Sequence, residues 1–362
     1  MRASSRKVLV VVIVLGILGF VVYRARGLFH FGDFSGTKLV LAVRDANFLL
    51  LGISIVAIYG CYAIRSLRWE VFQRNLGPSR FWNIYAMTLA GFSAVFLLGR
   101  AGEPVRPLLL ARKEKLPVSG MFGIYVLERV FDVASTATVA AIGLLLFQSQ
   151  VHSGETAAKL QAAAKTTGSL LFAGVLTAAI VLVYLRLHGT ALLERRLRAV
   201  IAAHGWKARF AGIALEFARG LQTIRTFGQL GLAVLYSTAH WFLVLMVYLW
   251  VSHAFGGKLA TITLSDALLV MAFSAVGSAV QVPGVGGGSQ AGAIIAYTAI
   301  FGVEREPAVA AAIVLWLISF AMCSLAGVPL LIREGWSLGE LRRMAKSEEE
   351  SELQSAPGEI AE

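Results

Sequence analysis

Long blocks without a charged residue alternate with short basic clusters along this chain. Uncharged runs cover Ala46–Ile64, Phe81–Gly99, Val133–Val151, Thr166–Leu185, Thr226–Val251 and Pro307–Ile332. A water-exposed helix shows an apolar stripe at a 3.6-residue period, whereas these runs are apolar on every side. Each is close to the roughly 20 residues that span the hydrocarbon layer of a bilayer. A shorter run, Val8–Tyr23, lies between Arg2, Arg6 and Lys7 on one side and Arg24 and Arg26 on the other. It lacks a small-residue cleavage site and reads as a retained anchor rather than a signal peptide.

One stretch breaks this pattern by being too long. Ala267–Val303 holds 37 uncharged residues, about 55 Å as a single helix against a hydrocarbon core of about 30 Å. Pro283-Gly284-Val285-Gly286-Gly287-Gly288 interrupts it, and a proline with four glycines ends a helix. Broken backbone at membrane depth survives only where protein or a wet cavity surrounds it. The reading is therefore two half-helices of about 15 residues each, with two short full crossings as the alternative. Phe81–Leu116 carries a matching break at Gly99-Arg100-Ala101-Gly102-Glu103-Pro104.

Lysine and arginine mark cytoplasmic loops. The fit is best with the N-terminus, Arg65–Arg80, Arg186–Gly228 and the C-terminal tail inside. It requires Phe81–Leu116 to dip in from the cytoplasm and Leu264–Gly302 from the opposite face. Two interrupted segments entering from opposite faces suggest an inverted repeat, and in transporters such breaks point to the substrate site. The pattern thus predicts an all-α polytopic integral membrane protein of about six full spans plus two broken or re-entrant segments.

Composition agrees, with 57% apolar and 15% charged residues. Residues 1–345 read as a single membrane domain, and 346–362 as a disordered acidic tail. The last sixteen residues hold six glutamates and no base, so removing them raises the net charge from +12 to +18. That excess points to anionic lipid head groups. Nucleic acid is excluded as a partner because the bases flank spans and form no separate domain. The loop 186–228, with Trp206 and Phe210 among its bases, reads as interfacial amphipathic helix. Cys61 and Cys323 sit inside apolar runs, which excludes a disulfide framework. The six histidines show no ligand spacing, and His240, inside a span, reads as a hydrogen-bonded packing residue. No catalytic motif is visible, so neither enzymatic activity nor a cofactor is expected.

Charges within membrane helices are costly and are usually paired. The densest cluster is Gly99–Lys115, followed by Glu128, Arg129 and Asp132. Arg100, Glu103 and Arg106 follow one another at three-residue steps, and Glu128 and Asp132 share a helix face. Pro104 in a first turn places Glu103 at a helix N-terminus, where the dipole favours a carboxylate. Two readings stay open: a structural ion network that pins broken helices, or arginines that exchange their carboxylates for a lipid phosphate. The PGVGGGSQ break is equally open, as an anion-holding run of backbone N–H groups or as a flexible point of close packing.

LLGRAGEPVRPLLL, YVLERVFD and VPGVGGGSQAGAIIAYTAIFGV, in that order, resemble the flippase-like membrane family that includes the transmembrane module of lysylphosphatidylglycerol synthases. The resemblance covers roughly Ala46 to Ile332. It implies a multi-spanning module that moves or presents lipids between leaflets, here of a bacterial or archaeal cytoplasmic membrane, and the basic residues place both termini on its cytoplasmic side. Carried onto this chain, its elements fall on Arg100, Gly102, Glu103 and Arg106, on Glu128, Arg129 and Asp132, and on Pro283, Gly284 and Gly286. Many relatives place a glutamate where this chain has Gln290, which puts a proton-coupling role there in doubt. Only about thirty residues follow Ile332, so the soluble synthase domain is missing from this sequence. The functional expectation is a lipid flippase acting on an anionic phospho- or glycolipid. The alternative is a scaffold partner of a separate lipid- or glycan-modifying enzyme.

Overall fold

A computed structural model describes residues 36–147, 154–188, 226–278, 281–282 and 286–335. The anchor Val8–Tyr23, most of the basic loop, Pro283, Gly284 and the acidic tail lie outside the described residues. Helix α1 is Gly36–Arg44, and α2 runs Phe48–Gln73. Asn47 starts α2 by accepting from the Leu49 and Leu50 amides at 3.0 and 3.3 Å, which satisfies two otherwise orphaned donors. The uncharged run ends at Ile64, but no breaker appears before Gly77 and Pro78, and the helix continues through Arg65 and Arg68. Those two arginines are buried, which corrects their placement in a cytoplasmic loop.

Next come α3 (Phe81–Leu98), a 3₁₀ turn at Gly99–Gly102, α4 (Val105–Glu114), α5 (Val118–Leu145) and α6 (Gly154–His188). The fifth helix begins well before the uncharged run Val133–Val151 and carries Glu128, Arg129 and Asp132 within it. Helix α7 is Phe227–Ala254, opened by a capping box between Thr226 and Gln229. Helix α8 (Leu264–Gly277) opens on a second capping box, between Thr263 and Asp266. It is followed by the two-residue strands β1 (Gln281–Val282) and β2 (Gly286–Gly287), which pair antiparallel. Helix α9 (Gly288–Ile295) continues as a π turn through Ile300. The chain then runs through α10 (Arg305–Trp316), a π turn at Leu317–Ala321 and α11 (Met322–Arg333).

Five helical stretches among the described residues are long and apolar enough to cross a membrane: Phe48–Gln73, Phe81–Leu98, Gln161–Ile180, Phe227–Ala254 and Arg305–Arg333. The second of these turns back on itself. Gly91 of α3 lies against Arg106 of α4, and Asn83 donates to Glu114 at 2.8 Å, so both ends of this hairpin lie together. The second hairpin repeats the design. Gly292 of α9 abuts the Phe273 carbonyl of α8, and Lys258 donates to the Gly302 carbonyl at 2.9 Å across its base. Helix α8 has 14 residues, about 21 Å, too short to cross. The half-helix reading therefore holds, and two full crossings do not. Close backbone approach in each hairpin needs a glycine. Gly292→Ala is expected to lose about 1–3 kcal/mol, read as a lowered thermal midpoint in detergent.

The two halves follow the same order of elements, run in opposite directions. Helices α2 and α7 pack together and run antiparallel: Asn47 donates to the Ala254 carbonyl at 2.7 Å at one end, and Asn75 to Gln229 at 3.1 Å at the other. Each of the pair leads into a hairpin and then a long helix, α5 in the first half and α10–α11 in the second. The hairpins then cross over: α3 packs on α11, and α8 packs on α5. The result is an all-α polytopic membrane protein with two re-entrant hairpins.

Candidate functional site

Three helices bring six charged side chains together, five of them buried and Arg129 partly exposed. Helix α2 supplies Arg65 and Arg68 one turn apart, α4 supplies Arg106, and α5 supplies Glu128, Arg129 and Asp132. Arg65 binds Glu128 at 3.0 Å and also Asp132. Arg68 binds Glu128 at 3.1 Å and Asp132 at 2.7 Å. Arg106 reaches the other Glu128 oxygen at 2.5 Å, and Arg129 reaches Asp132 at 3.2 Å. Helix α7 closes the cluster: Ser237 accepts from Arg68 at 2.9 Å, and the His240 ring lies 3.5 Å from Arg65 and 3.3 Å from the Cys61 carbonyl. His240 is thus a hydrogen-bonded packing residue, as read from the sequence.

The balance of this cluster is uneven. Four guanidiniums face two carboxylates, leaving two positive charges in excess. Glu128 is 0% exposed, Arg68 1% and Arg106 3%, so bulk water does little to screen them. The Nε and Nη2 atoms of Arg106 are buried and have no hydrogen-bond partner among the described residues. Its guanidinium lies over the Trp69 ring at 4.4 Å, and Arg65 lies over Phe92 at 4.8 Å. Aromatic faces offset part of the cost of a buried cation, but they accept no N–H in the plane of the guanidinium.

The expected site residues separate into two places. Arg106, Glu128, Arg129 and Asp132 join the cluster. Arg65 and Arg68 were missed by sequence reasoning because charge density assigned them to a loop. The signal that finds them is the helical step Arg65-x-x-Arg68 in a stretch free of glycine and proline. Glu103 accepts from the Tyr125 hydroxyl, whereas Arg106, one of its expected partners, pairs with Glu128; the side chain of Arg100, the other, lies outside the described residues. Pro104 is the N-cap of α4, one position from its expected place. Arg100 lies in the 3₁₀ turn at the first hairpin's tip. Gly286 and Gln290 meet at the second tip, where Gly286 takes φ +82° and Gln290 accepts from the Gly287 amide at 2.6 Å. Trp316 of α10 touches both hairpins, packing on Phe96 with ring centroids 5.8 Å apart and lying against Gly286.

Beside the cluster runs a laterally open apolar cleft of about 620 Å³ between α5, α6, α7 and α8. Ser237, the acceptor of Arg68, is part of its wall, with Thr138, Trp241 and Leu268. Among the described residues, no group of three His, Cys, Asp or Glu side chains could hold a metal.

Fold and site together define a polytopic membrane protein with paired re-entrant hairpins and a buried, positively biased ion cluster. Residues 7–327 match the family described as the lysylphosphatidylglycerol synthase TM region, and the chain belongs to that family. No curated protein and no solved structure shows significant similarity to it.

Proposed function

We propose that this protein moves or presents an anionic phospholipid or glycolipid between the leaflets of the cell membrane, without catalysing a covalent reaction. The observation that carries the proposal is the unpaired half of Arg106 in a cluster with two surplus positive charges. A structural network would gain nothing from surplus cations, because each buried ion costs several kcal/mol to desolvate. A phosphate or carboxylate ligand would neutralise the surplus and accept from the free Nε and Nη2 in bidentate fashion. The family's name supports a phospholipid as the ligand, and the net charge of +12 supports an anionic one. The distribution of basic residues supports cytoplasmic termini.

One observation favours a scaffold instead: Glu128 and Asp132 already hold several guanidiniums each, as a fixed pin between helices would. On that reading the protein partners a separate lipid- or glycan-modifying enzyme. The two readings separate in proteoliposomes carrying fluorescent phosphatidylglycerol or phosphatidylcholine, bleached from outside. The proposal expects faster loss of inner-leaflet phosphatidylglycerol signal than in protein-free vesicles. No gain for any head group, with folded protein, would leave the scaffold.

A further inference from the structure

The cleft beside the ion cluster resembles a ligand site in size, falling within the 300–1,000 Å³ of ordinary pockets, yet its wall is almost wholly apolar. It follows α7 from Leu230 to Leu245, fifteen residues or about 22 Å along the helix. One leaflet's share of the hydrocarbon core is about 15 Å, so the cleft is longer than a single leaflet is deep. Val234, Phe242, Ile142 and Leu264 line it and are also exposed at the molecular surface, so the cleft opens sideways. Polar side chains in its wall are Ser135, Thr138, Ser237, Thr238 and Trp241. Ser237 links it directly to Arg68, and the indole N–H of Trp241 is buried there without a partner among the described residues.

We infer that this cleft seats one acyl chain of a negatively charged diacyl phospholipid. The inference rests on the lipid reading above and deepens it. The apolar walls exclude a free phosphate or a sugar, and the sideways opening admits a molecule from the bilayer. Charge decides which lipid. Arg68, which donates to Ser237, joins this wall to the ion cluster, whose net positive charge favours an anionic head group over a zwitterionic one. Trp241 then has an acceptor in a lipid ester carbonyl, whose place at the junction of chain and head group matches a mostly apolar wall bearing an indole N–H and a few hydroxyls.

The test uses the full chain in phosphatidylcholine vesicles doped with phosphatidylglycerol that carries a photoactivated diazirine midway along one acyl chain. Labelled peptides are then mapped by mass spectrometry. The expected result is labelling concentrated on α5 and α7 around Thr138 and Phe242. It should exceed that on the outer face of α2, where Phe48, Leu49 and Val56 are exposed, and should fall about tenfold in Ala134→Trp, which fills the cleft. Thr138→Phe, one turn away, is the second variant should Ala134→Trp not fold. Equal labelling of cleft and α2 face, or labelling unchanged in the filled variants, would mean surrounding bilayer lipid only and overturn the inference. So would equal labelling by the matching phosphatidylcholine probe. Because this readout is occupancy, a labelled cleft without transport fails only the transport reading, and transport with an unlabelled cleft fails only this one.

Discussion

Glu128→Gln is expected to cost about 3–5 kcal/mol of stability, the usual loss when one partner of a buried ion pair is removed. Glu128 faces Arg65, Arg68 and Arg106 at once and is fully buried. Its loss would leave Asp132 as the lone carboxylate among four guanidiniums. A glutamine keeps the shape but supplies one weak acceptor and a donor aimed at other donors. Three helices, α2, α4 and α5, are tied through this residue, so their packing should loosen together. The readout is the thermal midpoint of the detergent-solubilised protein, lowered by several degrees. An unchanged midpoint would show that the cluster does not hold the helices.

Arg106→Gln should do the opposite in kind: little harm to folding and a large loss of function. Removing Arg106 lowers the surplus charge from two to one and leaves Glu128 bound by Arg65 and Arg68. It also removes the orphaned Nε and Nη2. What is lost for stability is one ion pair and the stacking on Trp69, so the midpoint should fall less than in Glu128→Gln. The loss for a bound anion is a charge-assisted hydrogen bond, about 1.5–3 kcal/mol, or roughly ten- to a hundredfold in affinity. Lipid translocation measured on the same preparation should fall by that factor.

The contrast between these variants follows from features the sequence displays unevenly. Long apolar runs made the crossing helices plain, because a run of that length has no other low-energy place than a bilayer. The hairpins were legible because glycine and proline interrupt stretches too long or too short to cross. The pairing of Glu128 with Asp132 on one face followed from their four-residue spacing. The partners across helices did not, since nothing local records that α2 lies against α5. Arg65 and Arg68 were hidden for a related reason. Positive charge normally marks a helix end near the cytoplasm, and only the absence of a breaker before Gly77 shows that α2 carries these residues inward. Glu103 was less legible for the same reason, since Arg106 is its neighbour in sequence while Tyr125, which donates to it, comes from α5.

The crossed packing of hairpins on the opposite half also lay beyond sequence pattern. It makes Trp316 a shared neighbour of the two tips. A shared contact of this kind suits a protein that opens alternately to two faces.

The central claim is that the surplus guanidinium of Arg106 serves a lipid anion rather than the fold. Its most direct test is the translocation rate of fluorescent phosphatidylglycerol by wild-type and Arg106→Gln protein, with the thermal midpoint taken on the same samples. The account predicts a rate at least about tenfold lower with a midpoint above that of Glu128→Gln. Wild-type translocation by a folded Arg106→Gln protein would contradict it and assign the arginine a purely structural role.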